Sequence, residues 1–264
     1  MDKLNELKNY IKKLNKVMVA FSSGVDSTFL LKVARDTIGE NACAITIKAP
    51  TIPKKELIEA KEFCNKNKIK HFILDFDPFQ IEEFIENGKE RCYFCKREIF
   101  KKIKEKAEIE GYKNILEGSN FDDIKDYRPG LRAVDELQIL SPLKILEFSK
   151  NEIRNYSKIL NLKTFNKPSF PCLASRIPYN EPINKEKILM VDMAENILYK
   201  MGFFQYRVRI LGKTAKIEIL PKDFQKLINK KDEILKSFFE IGFKDVLLDL
   251  KGYRQGSLNE DIMN

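Results

Sequence analysis

The sequence contains no apolar run near the roughly 20 residues that a helix needs to cross a bilayer. Residues 1–17 form an amphipathic helical pattern of mixed charge, without the uninterrupted apolar core of a signal peptide. Internal repeats and low-complexity tracts are also absent. From these absences we expect a cytoplasmic protein without a membrane-spanning helix and without a membrane partner.

Cysteine and histidine are scarce: five cysteines and one histidine, His71, occur in 264 residues. In a reducing compartment so few cysteines are not expected to form a disulfide framework. Cys43 lies in a predicted strand, and Cys64 shares helical spacing with Leu57 and Ala60. We therefore expect both to be small core residues rather than reactive thiols.

Acidic residues are outnumbered, with 39 against 48 basic ones, which gives a net charge of +9. This charge favours anionic partners such as nucleotides, phosphorylated metabolites or RNA. The lysines are spread over predicted helices, so a solvated surface accounts for most of the excess. Hydrophobic residues at 43% and charged residues at 33% are typical of a soluble globular protein.

Apolar strands and amphipathic helices alternate up to about residue 165. This alternation predicts an α/β fold, with a parallel sheet covered by helices on both faces. The last predicted helix opens with Ser149 and Glu152 at the spacing of a capping box. The predicted strands are residues 17–21, 42–47, 71–76, 114–117 and 137–141, and the predicted helices lie near residues 28–38, 54–67, 96–110 and 149–161.

A proline-rich segment, NKPSFPCLASRIPYNEP, follows and holds four of the ten prolines. Because proline restricts itself and its predecessor, we expect an extended, stiff linker. The pattern beyond it predicts a small α+β domain with a hairpin at GKT. Its elements are a helix at 185–200, strands at 206–211 and 215–220, a helix at 222–239 and a strand at 244–250. The predicted division is residues 1–165, a linker over 166–182, and residues 183–264.

The segment SSGVDS lies where the first predicted strand ends and a helical pattern begins. Phosphates bind at such loops of open α/β sheets, because backbone N–H groups and the helix dipole meet there. Gly24 allows close approach, and the hydroxyls of Ser22 and Ser27 can donate to phosphate oxygens. Asp26 suits an anion site if it holds a backbone N–H or Mg²⁺. An ordinary N-capped turn explains the pattern equally well. A Walker P-loop is excluded, since no Gly-Lys-Ser/Thr follows the loop.

The pair in RCYFC, Cys92 and Cys95, has four interpretations together with Cys172 of the linker. A structural zinc site needs four ligands, and beside these three cysteines the candidate for the fourth is the single histidine, His71. Because His71 begins a predicted strand, we expect a core or surface residue there rather than a ligand. A thioredoxin-like redox pair starts a helix in a different context. The spacing could also be coincidental. Finally, three thiolates can hold a [4Fe–4S] cluster and leave one iron without a protein ligand.

The stretch FSSGVDSTFLLK resembles the PP-loop, usually Ser-Gly-Gly-x-Asp-Ser, of ATP pyrophosphatases, which cleave between the α- and β-phosphates. Ser23 stands where glycine is most frequent, which is tolerable where it keeps an ordinary φ. LEGSNFDD, DYRPGLRA and above all KPSFPCLASRIPY narrow the resemblance to the LarE family, the sulfur transferases that build the nickel-pincer nucleotide cofactor. The similarity covers nearly the whole chain. It implies a PP-loop ATP-binding domain whose nucleotide-binding residues are Ser22, Ser23, Gly24, Val25, Asp26, Ser27, Gly118 and Asn120.

The resemblance also implies a role for three cysteines. One kind of LarE-like protein gives up the sulfur of the PCLASR cysteine, and another uses three cysteines to bind a cluster whose open iron carries sulfide. Cys92, Cys95 and Cys172 match the second kind. We expect these cysteines to be metal ligands and, with Asp26, catalytic residues. Repeated turnover with sulfide or another external sulfur donor is then expected.

The predicted strand QYRVRIL projects Arg207 and Arg209 from one face, as paired phosphate ligands do, although a half-exposed sheet gives the same pattern. LarE-like proteins carry a similar Arg-x-Arg strand followed by Ile-Glu, implicated in binding the mononucleotide phosphate. The resemblance therefore implies that Arg207, Arg209 and Glu218 bind the substrate. Further candidates for phosphate or carboxylate are Arg128 and Arg176. Asn120, Asp122 and Asp123 follow the fourth strand and could line the ATP site or help hold Mg²⁺.

Taken with the resemblance, these motifs predict ATP-dependent sulfuration of pyridinium-3,5-biscarboxylic acid mononucleotide. ATP, Mg²⁺ and a [4Fe–4S] cluster are the expected cofactors, and a homo-oligomer is the expected assembly. The alternatives are a cluster-dependent tRNA thiolase and a non-catalytic nucleotide- or metal-binding regulator. The sequence contains no recognisable RNA-binding module or zinc ribbon, so a nucleic-acid partner is not expected.

Overall fold

The computed structural model describes residues 2–125 and 127–258. The chain forms two compact units. The first consists of Met1–Pro78 and Glu90–Phe170, and the second of Phe79–Lys89 and Pro171–Asn264. The sequence-based division at residues 165 and 182 stays a prediction. It does not include the inserted segment, Phe79–Lys89, that belongs to the second unit.

The first unit contains a four-stranded parallel sheet, as the alternating pattern predicts. Its strands are β1 (Val17–Ala20), β2 (Ala42–Lys48), β3 (Lys70–Asp75) and β4 (Asn114–Leu116), in the order β3-β2-β1-β4. Both neighbours of β1 pair with it in parallel, so the carboxyl ends of these strands meet at one edge. The predicted α/β parallel sheet is confirmed.

The predicted strand over residues 137–141 is wrong except at one residue. Leu140 forms a single parallel bridge with Leu116, and its N–H donates to the carbonyl of Ile115 at 2.9 Å. Gln138 has a φ of 55°, which breaks the extended backbone on one side. Pro142 opens a short helix on the other side and cannot continue a sheet ladder.

The helices of the chain, numbered in sequence order, are α1 (Lys3–Leu14), α2 (Val25–Ile38), α3 (Lys54–Lys66), α4 (Glu82–Ile85), α5 (Arg91–Ile109), α6 (Gly130–Glu136), α7 (Pro142–Ile145), α8 (Lys150–Ile159), α9 (Lys185–Lys200), α10 (Phe224–Asn229) and α11 (Lys231–Ile241). The predicted capping box of α8 is present. Helices α2 and α5 begin earlier than predicted, so α5 includes both cysteines of RCYFC. No helix in the described parts of the chain has the length and apolarity that crossing a membrane requires.

Alternate residues of the central strands supply two separate cores. Val17 and Val19 of β1 pack with residues of α1, α2 and α3, whereas Met18 packs with Phe100 and Ile103 of α5. Successive side chains of a strand point to opposite faces, so this division places helices on both faces of the sheet. Strand β1, which leads into the segment SSGVDS, is therefore packed on both faces.

The second unit is a small α+β domain, as predicted. Strands β5 (Tyr206–Leu211) and β6 (Thr214–Ile219) form an antiparallel hairpin, and β7 (Asp245–Leu248) lies parallel to β6. Gly212 in the connecting turn has a φ of 59°, which a glycine adopts without strain. The predicted helix over residues 222–239 is instead two helices, α10 and α11, which meet at Lys230.

The inserted segment is fixed to the second unit through its backbone. The N–H of Ile183 donates to the carbonyl of Ile85 at 2.8 Å, and that of Asn180 donates to the carbonyl of Asn87 at 3.0 Å. The buried Asn87 amide also donates to the carbonyls of Pro178 and Glu181. These bonds connect α4 to the end of the proline-rich segment.

Candidate functional site

The segment SSGVDS spans the loop after β1, which holds Ser22, Ser23 and Gly24, and the first turn of α2, and this is the strand–loop–helix context that a phosphate site requires. Gly24 occupies the N-cap position of α2, so no side chain caps this helix from there. Val25 is buried at the first helical position. Because the first N–H groups of a helix have no intrahelical acceptors, this arrangement favours an anion site over an ordinary capped turn.

Ser23 does not keep an ordinary φ. Its φ is 54°, in the left-handed region where the PP-loop pattern usually has glycine. The side chain is buried, and its hydroxyl donates to the backbone carbonyl of Glu56 at 3.1 Å and lies 3.3 Å from that residue's carboxylate. Serine rarely adopts this left-handed conformation, and the contacts of its hydroxyl with Glu56 of α3 stabilise it here.

The two other serines of the loop contact each other. The hydroxyls of Ser22 and Ser27 lie 3.1 Å apart, and the N–H of Ser22 donates to the Ser27 hydroxyl at 3.3 Å. Gly118 packs against the same turn: a methyl group there would lie 3.0 Å from the Ser27 nitrogen and 3.2 Å from its Cα. The segment after β4 therefore packs so closely against the start of α2 that residue 118 has room for a hydrogen atom but not for a side chain.

Asp26 and Asp123 bring negative charge to the loop. Lys150, the first residue of α8, forms an ion pair with one carboxylate oxygen of Asp26. Among the described residues, the other oxygen of Asp26 is buried without a hydrogen-bond partner. Burial raises the pKa of Asp123, and the charge of Asp26 acts in the same direction, while Arg128 opposes it from 2.8 Å. Two carboxylates beside a phosphate site suit Mg²⁺.

Asn120 and Asp122 order the loop that follows β4. The N–H of Asn120 donates to Asp123 at 3.0 Å, and the Asn120 side-chain oxygen accepts from the N–H of Asp122 at the same distance. Asp122 in turn accepts from the backbone N–H of Lys150 at 2.8 Å. Asp122 therefore holds the start of α8 beside the loop, whereas Asp123 remains the better candidate for a metal ion.

The five cysteines divide into two buried and three accessible thiols. Cys43 and Cys64 are fully buried, which confirms both as core residues, and this burial raises the pKa of Cys43 to about 11 and that of Cys64 to about 12. Cys92 is exposed and Cys95 partly exposed, in the first turns of α5, at a spacing that shares one helix face. Cys172 is exposed in the second unit. Over residues 2–125 and 127–258, no three His, Cys, Asp or Glu side chains are grouped as metal ligands.

The linker cysteine enters a short turn that joins an arginine cluster. Cys172 precedes the 3₁₀ turn Leu173–Arg176, and its carbonyl accepts from the Ser175 hydroxyl at 2.8 Å. Arg176 is fully buried and donates to both carboxylate oxygens of Glu195 in α9, at 2.6 and 3.1 Å. Arg176 therefore anchors the turn, and its direct contact with a substrate stays a prediction.

Arg209 and Glu218 form a second buried pair. The Arg209 Nε donates to Glu218, and its two remaining nitrogens donate to the Ser175 carbonyl at 3.0 Å and the Ser257 hydroxyl at 2.7 Å. Lys216 lies 3.3 Å from the same carboxylate. The side chains of Arg209 and Glu218 are 5% and 1% exposed, so the solvated-sheet interpretation does not hold here.

Arg207 is the guanidinium of the cluster without a carboxylate partner among the described residues. It lies 4.8 Å from the Tyr253 ring centroid and donates to the Tyr253 hydroxyl at 3.1 Å. Its Nε is buried and unpartnered within those residues. Burial lowers the pKa of Arg207 to about 10, and the charges of Arg176 and Arg209 act in the same direction. Such a buried cation is a suitable anion ligand.

Proteins from other organisms are similar to this chain over nearly its whole length. No family model matches it. An uncharacterised protein of Synechocystis is 39% identical over 97% of both chains. The pyridinium-3,5-bisthiocarboxylic acid mononucleotide synthase of Lactiplantibacillus plantarum is 29% identical over 96% of this chain and 92% of that one. The chain belongs to the LarE family.

A more distant similarity bears on the fold of the first unit. A component of the glutamine-hydrolysing GMP synthase of Thermoplasma volcanium is 26% identical over 74% of this chain and 66% of its own length. Together with the loop between β1 and α2, this similarity identifies the first unit as a PP-loop domain. The predicted fold class is confirmed.

The structure brings most of the predicted nucleotide- and substrate-binding residues together in two groups. The loop residues, Gly118, Asn120 and Arg128 lie in the first unit, whereas Cys172, Arg176, Arg207, Arg209 and Glu218 lie in the second. The sequence did not single out Lys150 and Lys167, which contact Asp26 and Ser23. Isolated lysines in a lysine-rich chain give no motif. The capping box next to Lys150 was the one signal near it.

Proposed function

We propose that this protein is an ATP-dependent sulfur transferase that converts the carboxylates of pyridinium-3,5-biscarboxylic acid mononucleotide into thiocarboxylates. The relative named as a synthase of the bisthiocarboxylic product matches 96% of the chain and supports this reaction. The structural observation that carries the proposal is the second-unit cluster. There the turn after Cys172 ends at the buried Arg176, and its Ser175 carbonyl accepts a hydrogen bond from the buried Arg209. The neighbouring Arg207 is also buried and has no carboxylate partner among the described residues.

Activation of the carboxylate is assigned to the PP-loop. A carboxylate oxygen is a poor leaving group and must be activated before sulfur can replace it. The carboxylate attacks the α-phosphorus of ATP, pyrophosphate is released, and the resulting acyl adenylate has AMP as its leaving group. The N–H groups at the start of α2 are placed to bind phosphate oxygens. Asp26 and Asp123 would hold Mg²⁺ there, because that ion binds one or two carboxylates together with substrate phosphates. Lys150 and Arg128 supply further positive charge.

Recognition of the mononucleotide phosphate is assigned to the arginine cluster. Arg207 is the main ligand, because it is buried and forms no ion pair with a carboxylate among the described residues, and its Nε has no hydrogen-bond partner there. Glu218 orients Arg209, and Glu195 orients Arg176. A bound dianion would offset the excess of guanidinium over carboxylate groups.

The sulfur step displaces AMP from the adenylate and forms the carbon–sulfur bond. We propose that Cys92, Cys95 and Cys172 hold a [4Fe–4S] cluster, since these three thiols are accessible and the two remaining ones are buried. The donor set fits the cluster in its chemistry. When bound, the cluster would supply a replaceable sulfide, which a sacrificed cysteine side chain does not. A cytoplasmic location, a homo-oligomer and the absence of a nucleic-acid partner stay predictions.

The reaction is tested by anaerobic incubation of iron- and sulfide-reconstituted protein with ATP, Mg²⁺, sulfide and the biscarboxylic mononucleotide. Mass spectrometry of the nucleotide is expected to show replacement of carboxylate oxygen by sulfur, with pyrophosphate released. Reactions without ATP serve as the control. A nucleotide that stays unchanged although every component is supplied would count decisively against the proposal.

The cluster has a separate test in protein purified without oxygen. We expect wild type to show the absorption and EPR signals of an iron–sulfur cluster, and Cys92→Ala to lose most of its iron. Cys64→Ala is the matched control, because it removes a thiol that is buried in the core. Equal iron content in the two variants would contradict the assignment of Cys92 as a ligand.

A further inference from the structure

Lys167, in the segment before the linker cysteine, reaches back to the nucleotide loop. Its ammonium donates to the backbone carbonyl of Ser23 at 3.0 Å and lies 3.4 Å from the Ser23 hydroxyl. It also forms ion pairs with Glu56 at 3.2 Å and with Glu59, both on α3. One partly buried cation thus joins the left-handed residue of the loop to α3.

The bond to the Ser23 carbonyl fixes more than that oxygen. The carbonyl of Ser23 and the N–H of Gly24 belong to one planar trans peptide and point in opposite directions. When Lys167 holds the carbonyl on its side, the N–H of Gly24 is directed the other way. Gly24 is the N-cap residue of α2, so its N–H belongs to the group of donors that a phosphate would meet.

The position of Lys167 is itself fixed by α8. Arg154 donates to the carbonyl of Phe165 at 2.6 Å and to that of Lys167 at 3.0 Å. The same helix begins with Lys150, which pairs with Asp26 in the first turn of α2. Helix α8 therefore contacts the chain on both sides of Gly24: Lys150 reaches Asp26 directly, and Arg154 reaches Ser23 through Lys167.

Removal of the Lys167 charge would affect two groups, the Ser23 carbonyl and the Glu56 carboxylate. The Lys167 side chain is 13% exposed and that of Glu56 is 11% exposed. Burial raises the pKa of Glu56, and the charge of Lys167 opposes this rise. Without the ammonium, the Ser23 carbonyl loses a charge-assisted donor and Glu56 loses its counter-ion, while the strained φ of Ser23 remains.

We propose that Lys167 is a positioning residue of the nucleotide loop, which holds the Ser23–Gly24 peptide in the orientation that presents the Gly24 N–H to a phosphate. The inference rests on the proposed function in so far as that phosphate belongs to ATP. Lys167 contacts no reacting atom in this assignment, and its effect passes through the backbone of Ser23.

The test compares Lys167→Met with Lys163→Met, which removes the same charge from an exposed position of the same short segment. Amide hydrogen exchange of the nucleotide-free proteins is measured over residues 21–28, and MgATP affinity by calorimetry. For Lys167→Met we expect exchange about tenfold faster at the loop and affinity about tenfold weaker, the effect of losing one charge-assisted hydrogen bond. Lys163→Met is expected to match wild type in both measurements.

Steady-state kinetics separate positioning from a general loss of structure. The KM for ATP in pyrophosphate release is expected to rise in Lys167→Met while kcat stays near the wild-type value. Lys167→Arg retains a charged donor and is expected to recover more affinity than Lys167→Gln. If Lys167→Met does not fold, this pair decides, and equal affinities for the arginine and glutamine variants would overturn the proposal.

The two proposals fail in different ways. Faster loop exchange in Lys167→Met, with no MgATP binding by wild type, would support the positioning role and contradict ATP use. Wild-type exchange and wild-type affinity in Lys167→Met would contradict the positioning role and leave ATP use intact.

Discussion

Ser23 combines a backbone that favours glycine with a side chain that is bonded to Glu56. A left-handed φ costs a non-glycine residue about 1–2 kcal/mol, and the lost hydroxyl bonds about 0.5–1.5 kcal/mol. We therefore expect Ser23→Gly to change the free energy of unfolding by less than about 1 kcal/mol, because the two effects oppose each other. Ser23→Ala keeps the strain that serine already has and loses the bonds, so we expect it to lower that free energy by about 0.5–1.5 kcal/mol.

Urea denaturation of the two Ser23 variants measures this order of stability. Ser22, which is exposed and has no left-handed φ, is the matched control. There alanine is expected to be at least as stable as glycine, since glycine loses more backbone entropy on folding. An alanine variant at residue 23 that is as stable as the glycine variant would contradict the left-handed conformation.

Arg207 and Arg209 are expected to differ although they share one strand. Arg209→Met leaves Glu218 buried with Lys216 as its remaining ion-pair partner among the described residues, so we expect a loss of about 2–3 kcal/mol of stability. Arg207→Met removes a buried charge without a carboxylate partner there, so stability is expected to change by less than about 1 kcal/mol, while the KM for the mononucleotide rises at least about tenfold. Denaturation and steady-state kinetics of both variants check this. A larger stability loss in Arg207→Met would show that Arg207 serves the fold.

For single residues, the sequence predicts which face of a strand a side chain lies on better than it predicts whether that face is buried. The period of two placed Arg207 and Arg209 on one face of a strand, as the structure has them. It could not show that the face is covered, because Tyr253 and Ser257 approach from far along the chain. The same limit applies to Lys167, whose partner Ser23 is distant in sequence.

Gly118 belongs to the scale of elements, since it sets the distance between the end of β4 and the start of α2. A methyl group there would meet the Ser27 nitrogen at 3.0 Å and Cα at 3.2 Å, and backbone atoms cannot rotate away. We expect Gly118→Ala to lower the free energy of unfolding by about 1–3 kcal/mol and to weaken MgATP binding. Thermal denaturation and calorimetry measure the two effects.

Gly88→Ala is the control for Gly118→Ala, because an added methyl group at Gly88 would meet nothing within 4 Å. That substitution is expected to leave stability within about 0.5 kcal/mol or to raise it slightly. Wild-type stability in Gly118→Ala would mean that the segment after β4 does not pack against α2.

Periodicity predicted the existence of most elements but not their ends. Helix α5 begins at Arg91, so the cysteines lie on a helix rather than before it. Glu90 at the N-cap makes no side-chain cap, so no capping residue marks the start of this helix in the sequence. At residues 137–141 the apolar run was real, but the left-handed Gln138 and Pro142 restrict pairing to Leu140.

At the scale of the whole molecule, the inserted segment Phe79–Lys89 could not be predicted from local pattern. Its bonds to the second unit connect Asn87 with Pro178 and Glu181, about ninety residues away in sequence. No composition change marks either of its ends. The proline-rich linker over residues 166–182 stays a prediction, which rests on local pattern alone because prolines restrict the backbone wherever they occur.

The division of residues between two units predicts that the two chemical steps can be separated. The proposed ATP-binding residues lie in the first unit, and Cys172 lies in the second. Cys172→Ala therefore keeps the PP-loop intact, and we expect it to release pyrophosphate when ATP and the mononucleotide are supplied. It is expected to form no thiocarboxylate, since it lacks the proposed sulfur-step thiol. Asp26→Asn is expected to lose both products, because activation precedes sulfur transfer. Quantifying pyrophosphate and thiocarboxylate in the same anaerobic reaction tests this order, and thiocarboxylate formation by Cys172→Ala would exclude Cys172 from the sulfur step.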